Sequence, residues 1–417
     1  MYGSNVAANS ARKLWSSLKL EIFQPTDIET EGEALKTTQV LIKTIYADEV
    51  TDTDLEGLAK DACAECIQIL KEPEKSQAKP AIKVLCAFMS TTRQFKSILF
   101  CDSGIHSSLC IASVSRYTLS HVVPHLTRLF VDPDELPNRG PVLSLLSSLI
   151  AAARDSTVKA DNAEEIFLLP YRDEVLGVLI TGLKSQSCLR PAIEGLNGMV
   201  TTPALLDDQE IGFVVQKVND VISSQQEDFL GTRCFFSSLS PDFSLIIVRR
   251  DAALDLLKTI SSKTPSHIAQ MTLPLLFSAL PDQAPGRDDA EGREKYRMGL
   301  SALSHLCTQP NLFETLVVRL SVRLGLLYAP VTVPEDTEPS AAYAHALLST
   351  LADVLARKVE NGDLDVPKYV DRLVPRLFNL FVHGALVTTG KTEMADPRII
   401  DVVARLLNLV TQSLSAQ

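Results

Sequence analysis

The sequence predicts an all-α solenoid in which antiparallel helical hairpins stack along the chain. Three observations predict it. Apolar residues recur at steps of three and four through most of the chain, and sustained alternation with a period of two is almost absent. Short polar breaks separate these stripes at helical lengths. The 417 residues are 46% hydrophobic but only 6% aromatic, so the apolar content is aliphatic and favours packed helices over a sandwich or barrel.

The clearest hairpin lies between residues 240 and 282. Ser240 is a good N-cap and Pro241 suits a first helical position, so a helix is predicted from there to residues 261–263. Thr264-Pro265 then restarts the pattern. Because the link between these two helices has only about three residues, the helices must lie antiparallel to each other. The apolar stripe of the first helix is Leu245, Val248, Ala252, Leu256 and Ile260, and that of the second is Ile268, Thr272, Leu275 and Ala279.

Two further hairpins follow the same pattern. Pro339 is predicted to open a helix that ends at Asn361-Gly362. Pro367 is predicted to open the partner helix, which ends at Gly384. Residues 55–70 and 78–89 form a similar pair. The stripe of the helix after Pro339 is Tyr343, Leu347, Leu351, Val354 and Lys358.

A degenerate internal echo accompanies these hairpins. Val123-Pro124, Leu273-Pro274 and Val374-Pro375 each precede apolar residues within a helical pattern. Proline there removes an intrahelical hydrogen bond and kinks the helix, which suits a curved stack. The echo is typical of HEAT repeats, although it does not define a repeat by itself.

The pattern as a whole predicts one domain, residues 1–417, forming a curved right-handed superhelix of HEAT/armadillo type. A lone hairpin cannot bury its apolar face, whereas stacked hairpins share a continuous core. Longer breaks are predicted at residues 283–295, 328–340 and 387–397. The last helix, between Ile399 and Val410, is apolar nearly all round, and we therefore expect the chain to be a central fragment of a longer array.

Charge and composition narrow the range of functions that the chain could have. A formal charge of -11 and a pI near 5.2 repel phosphate backbones, so direct nucleic-acid binding is not expected. The most apolar stretch, residues 142–153, is too short to span a bilayer, and we expect no secretory signal. Eight cysteines without disulfide-like spacing fit a reduced, cytosolic or nuclear protein. The acidic clusters at residues 27–33, 132–135, 207–210 and 335–338 are interpreted as solvated loops and helix starts, with docking sites for basic partners as the alternative.

Candidate chemical sites are few. Cys63 and Cys66 form one Cys-x-x-Cys pair, but Ala59, Cys63, Cys66 and Leu70 fall on a single apolar stripe, so both thiols are predicted to be buried core residues without a metal. Zinc or iron bound at a stoichiometric level, and lost in Cys63→Ser, would contradict this prediction.

The remaining candidates are equally weak. His121 and His125 have the spacing of a zinc helix, but Pro124 lies between them and no glutamate is adjacent. Cys101, His106 and Cys110 lack a fourth ligand, and Trp15 is predicted to be core. No Walker motif or Gly-x-Ser-x-Gly elbow is present. We therefore expect no enzyme, no cofactor and no catalytic or metal-binding residue, and the sequence does not identify the partner-binding residues.

Two segments carry a family resemblance. LWSSLKLEIF at residues 14–23, followed by EALK at 33–36, resembles the region after the N-terminal domain of the Mms-nineteen family. TLPLL at 272–276, through LPD at 280–282, is similar to a repeat in that family's C-terminal half. The family is the large HEAT-repeat adaptor of the cytosolic iron-sulfur assembly targeting complex, first named for DNA repair and transcription. The chain would be a central, fungal-like fragment.

The resemblance implies a non-catalytic scaffold in cytoplasm and nucleus. Its partners would be proteins: assembly factors, and apo-protein clients such as DNA-repair helicases and polymerases that receive iron-sulfur clusters. The acidic loops and stacked helices would form the binding surface. The alternative is a HEAT-repeat scaffold of another class, such as a nuclear transport receptor, a phosphatase scaffold or a trafficking scaffold.

Overall fold

The computed structural model describes residues 2–24, 27–47, 53–71, 78–90, 104–132, 139–159, 166–233, 241–327, 338–363, 365–369, 373–375, 378–379 and 396–415. Within these residues the chain is helical and contains no β-strand. The chain packs as two compact units, residues 1–210 and 211–417. The prediction of an all-α, helical-repeat fold is confirmed.

The first unit consists of helices that stack in two layers. Each helix packs on its successor to form the hairpins α1–α2, α3–α4, α5–α6 and α7–α8, and also on the second helix along the chain. The odd-numbered helices thereby form one layer and the even-numbered helices the other. The helices are α1 (Tyr2–Phe23), α2 (Ile28–Ala47), α3 (Thr53–Lys71), α4 (Ala78–Ser90), α5 (Gly104–Val131), α6 (Arg139–Lys159), α7 (Arg172–Gly182) and α8 (Leu189–Thr201), with a 3₁₀ turn at Leu169–Tyr171.

The second unit follows the same principle with less regular helices. One layer is the succession α10, α13, α15 and α16, and the other includes a π-helical turn that packs on α14. The elements are α9 (Asp208–Arg233), α10 (Pro241–Lys263), α11 (Pro265–His267), the π-helical turn Ile268–Thr272, α12 (Leu273–Ser278), α13 (Ala290–Leu306), α14 (Pro310–Leu327), α15 (Glu338–Glu360), a 3₁₀ turn at Val366–Tyr369 and α16 (Pro397–Ser415).

The predicted first helix of the clearest hairpin is α10, with both ends as expected. The second helix differs from the prediction in its register. Leu275 and Ala279 are only half-buried, and the core residues are instead Leu273, Leu276, Phe277 and Leu280. The π-helical turn Ile268–Thr272 explains the difference, because its wider turn rotates all later residues relative to an uninterrupted α-helix.

The three prolines of the echo differ in their surroundings. Pro124 lies inside α5, as predicted. Pro274 also lies inside a helical run, residues 265–278, directly after the π-helical turn Ile268–Thr272, so the prediction of a proline within a helical pattern is confirmed there. Pro375 lies in a short helical stretch whose flanking residues are outside the described part of the chain.

Helix α15 confirms its prediction throughout. All five predicted stripe residues, from Tyr343 to Lys358, are buried to within 1% exposure. The helix ends in a Schellman motif: Gly362 has φ of +70°, its N–H donates to the Val359 carbonyl, and the Asp363 N–H donates to the Lys358 carbonyl. Pro367 opens a 3₁₀ turn, Val366–Tyr369, and the predicted end at Gly384 lies outside the described residues.

The other boundaries can be compared where the structure describes them. The pair at residues 55–70 and 78–89 is α3 and α4. The predicted break at residues 283–295 ends earlier, because Asp289 caps α13 and the helix begins at Ala290. Residues 328–337 and 380–395 lie outside the described part. No described helix is long and apolar enough to cross a membrane.

Candidate protein-binding surface

The Cys-x-x-Cys pair lies in the core of the first unit. Cys63 and Cys66 on α3 are completely buried, as predicted. Burial raises the pKa of the Cys66 thiol, with a further contribution from the neighbouring Cys63. In the residues that the structure describes, no three His, Cys, Asp or Glu side chains are grouped to hold a metal ion. The metal-free state of the pair stays a prediction.

Trp15 is also a core residue. Its ring is 5% exposed and packs edge-on against Phe88, with 6.4 Å between the ring centroids. Its indole N–H donates to Glu65 Oε2 at 3.1 Å, and Lys19 Nζ lies 3.0 Å from the same oxygen. One carboxylate thus joins α1 to α3, and the prediction that Trp15 is core is confirmed.

The histidine pair on α5 makes separate contacts. His121 Nδ1 lies 2.8 Å from the Tyr117 carbonyl oxygen, and the His121 and Tyr117 rings are tilted by 44° with their centroids 4.6 Å apart. His125 is half-buried and hydrogen-bonded to the Leu70 backbone. His121 therefore contacts its own helix α5, whereas His125 contacts α3. Cys101 lies outside the described residues, and the side chains of His106 and Cys110 are likewise not described.

Two acidic clusters act as helix starts. Asp207 and Glu210 form a reciprocal capping box: the Asp207 N–H donates to Glu210 Oε2 and the Glu210 N–H donates to Asp207 Oδ1, both at 2.8 Å. Asp27 accepts from the backbone N–H of Thr30 at 2.7 Å, and this bond together with the Thr30 hydroxyl lowers the pKa of Asp27. The interpretation of these clusters as helix starts is confirmed.

A third acidic group joins neighbouring helices of the second unit. Arg398 at the start of α16 donates to Glu338 of α15 at 2.9 Å and to Asp396 at 2.7 Å. Bonding to Arg398 lowers the pKa of Asp396, and the two carboxylates raise the pKa of Arg398. The rest of the cluster at 335–337 and residues 133–135 lie outside the described residues.

One exposed apolar stripe was not predicted from the sequence. On α14, Val318, Val322 and Leu326 are 41%, 58% and 53% exposed, one helical turn apart. The core stripe of the same helix is offset by two residues, at Leu316, Leu320 and Leu324, which are buried. Because two residues correspond to about 200° around a helix, the stripes lie on opposite faces. The sequence does contain a signal for this exposed stripe, because its apolar residues form two stripes that are offset by two positions.

The helical pairs and the exposed helix faces define a helical-repeat protein of the solenoid class. Residues 299–417 match the family model described as "RNAPII transcription regulator C-terminal". A DNA repair/transcription protein mms19 of Schizosaccharomyces pombe is 22% identical over 384 residues, which is 89% of this chain and 33% of that protein. The chain is thus similar to an Mms19 protein over most of its length, and it spans about a third of the length of this relative.

Solved structures show similar helical arrays at low identity. A chain of the Kap95p–RanGDP structure is 11% identical, with a TM-score of 0.40, and the alignment covers 100% of this chain and 53% of that one. A circular tandem repeat protein is also 11% identical, with a TM-score of 0.30, and the alignment covers 100% of this chain and 99% of that one.

Proposed function

We propose that this chain is part of a non-catalytic scaffold that binds assembly factors and apo-protein clients for cytosolic iron-sulfur cluster insertion, with a link to DNA repair and genome maintenance. The observation that carries the proposal is the relation to a DNA repair/transcription protein along 89% of the chain. The protein would work in cytoplasm and nucleus, hold proteins rather than nucleic acid or membrane, and carry the clusters only as cargo of its clients.

The architecture supports a binding role. A stack of hairpins devotes its residues to an extended surface, and such surfaces hold proteins over many weak contacts. In the first unit, buried side chains such as Trp15, Cys63 and Cys66 pack between helices. Taken over the whole chain, the net charge of -11 favours partners whose surfaces are basic on average, although a single face can differ from that average.

Affinity capture tests the proposal. The tagged chain, and separately its full-length parent, are used to capture proteins from lysate, which are identified by mass spectrometry. Cytosolic iron-sulfur assembly factors or DNA-maintenance proteins that carry clusters are expected. Capture of transport cargo or phosphatase subunits without any assembly factor would refute the proposal and favour the other scaffold class.

Two controls accompany the capture. A bait carrying Leu303→Asp places a charge at a completely buried position of α13 and should lose partners that need the folded surface. Partners captured by the unsubstituted bait should dissociate progressively as the salt concentration rises, because exposed charges are screened over about 8 to 10 Å at physiological ionic strength. Capture that is unchanged by the Asp substitution would be non-specific.

A further inference from the structure

The exposed face of α14 borders a cavity in the second unit. The cavity has a volume of about 320 Å³ and lies between α14 and the segment formed by the π-helical turn and α12. Its apolar wall includes Leu273, Pro274 and Phe277, and α14 contributes Thr315, Arg319 and Arg323. This volume is near the lower end for ligand pockets, about 300 to 1,000 Å³, so it has room for side chains inserted by a partner.

The two arginines at this cavity differ in their partners. The Arg323 guanidinium donates to the Pro281 carbonyl and to Asp282 Oδ1, both at 2.7 Å, and to the Phe277 carbonyl at 3.1 Å. It therefore ties α14 to the end of α12. Arg319 is exposed and makes no hydrogen bond or ion pair with any part of the described chain. Arg319 is thus the cation at the cavity that is available to an incoming carboxylate.

The helical period joins Arg319 to the exposed stripe. Val322 and Leu326 lie three and seven residues after Arg319, so all three side chains share one face of α14. Val318 extends the apolar surface on its far side. Around the circumference of α14, Arg319 therefore lies at the edge of the cavity, and the exposed apolar stripe lies next to Arg319. A contiguous apolar surface with one available cation is the complement of an amphipathic helix that carries carboxylates.

We propose that the cavity and the outer face of α14 bind an acidic amphipathic helix of a partner protein. One apolar side chain of that helix enters the cavity against Phe277, a carboxylate pairs with Arg319, and its remaining apolar side chains cover Val322 and Leu326. The π-helical turn in the cavity wall agrees with this assignment, since such turns are frequent at functional sites. The inference rests on the proposed scaffold function and specifies the chemistry of one partner.

Fluorescence polarisation on the purified chain tests the inference. The probe is a labelled synthetic helical peptide with leucine at every third or fourth position and glutamate beside each leucine. We expect saturable binding that weakens at least about fivefold in Arg319→Glu, since a favourable ion pair becomes a repulsion. Val322→Ser should weaken binding by a similar factor, because it removes apolar contact area.

Matched variants separate this site from general surface effects. Arg297→Glu changes an exposed arginine of α13 outside the cavity, and Leu407→Ser changes an exposed leucine of α16; both should leave the affinity within about twofold. A peptide with lysine in place of each glutamate should bind Arg319→Glu more tightly than the unsubstituted protein. Thermal unfolding of all four variants establishes that they fold.

Three results would overturn the inference: no saturable binding of the acidic peptide, equal affinity for Arg319→Glu, or self-association in light scattering that Val322→Ser abolishes, which would make this face a contact between copies. None of these results bears on the lysate capture of assembly factors. Failure of the docking site is therefore distinguishable from failure of the proposed function.

Discussion

At the scale of single residues, Lys358 shows how the second unit holds a buried charge. Its side chain is completely buried, and Nζ lies 2.9 Å from Asp363 Oδ2, from Asp365 Oδ1 and from the Thr308 carbonyl. Nζ also lies 5.8 Å from the centroid of the Phe313 ring. The ammonium thereby joins the end of α15 to the loop before α14, and its partners offset the cost of burial.

Lys358→Ala should lower the free energy of unfolding by about 3 kcal/mol, because it leaves the poorly exposed Asp365 without its cation. Urea unfolding gives the value. Lys217→Ala is the control: Lys217 pairs with Asp220, which is 61% exposed, and its loss should cost at most about 0.5 kcal/mol. Equal effects of the two substitutions would mean that the Lys358 cluster contributes no more than a surface ion pair.

Two histidines should make stability depend on pH. Burial lowers the pKa of His125 and of His305 in the folded chain, and neighbouring cations lower both further. The unfolded histidine, with a pKa of about 6.5, then takes up a proton before the folded one does. The histidine contribution to stability is thus complete above about pH 7 and is lost as the pH falls through the unfolded and then the folded pKa.

Urea midpoints measured between about pH 7.5 and pH 5 check this dependence. The double variant His125→Gln and His305→Gln should show a flatter decline over this range, because neither glutamine titrates. An identical decline in both proteins would assign the pH dependence to other groups.

At the scale of elements, the contact between α6 and α8 depends on a glycine. A Cβ at Gly198 would lie 2.8 Å from Ile150 Cγ2, whereas a Cβ at the exposed Gly177 of α7 would meet nothing within 4 Å. The branched Ile150 side chain has little freedom to move aside, since its Cγ2 is attached directly to Cβ. Small residues at this position therefore set how closely the two helices of one layer approach.

The two glycines should respond to alanine with opposite signs. Gly198→Ala is expected to destabilise the protein by about 1 to 3 kcal/mol through overpacking. Gly177→Ala should stabilise it by about 0.5 to 1 kcal/mol, because alanine restricts the unfolded chain and favours the helix. Thermal unfolding compares them. Stabilisation by both substitutions would show that α6 and α8 adjust without cost.

At the scale of the whole molecule, stability should be local. Within each unit a helix packs on its hairpin partner and on the next helix of its layer. In such an array the stability is a sum over neighbouring elements, so an element responds mainly to damage close to it.

Hydrogen exchange measured by mass spectrometry tests this locality. Leu196→Ala removes a completely buried side chain of α8, and should cost about 2 to 5 kcal/mol. Amide protection should fall in α6, α7 and α8, the elements in mutual contact, and stay unchanged in α14 and α15. A uniform loss of protection across both units would show that the chain unfolds as one cooperative body.

Local patterns in the sequence were enough to predict the helices and most of their buried faces. The stripe from Tyr343 to Lys358 and the burial of Cys63 and Cys66 follow from a period of 3.6 residues, which is a local property of the chain. The start of α10 at Pro241 and the end of α15 before Gly362 follow from local backbone preferences. Such features need no knowledge of neighbours that are distant in sequence.

The contacts that join distant segments, by contrast, depend on how the helices pack in three dimensions. The π-helical turn at Ile268–Thr272 shifts a register that a regular period cannot anticipate. The aspartates around Lys358 and the position of Arg319 beside Phe277 depend on how elements pack. Apolar period alone gives α14 two equivalent stripes, and packing against neighbouring helices buries Leu320 while leaving Val322 exposed. Burial is a property of the assembled layers, so the candidate docking face became visible only in the folded chain.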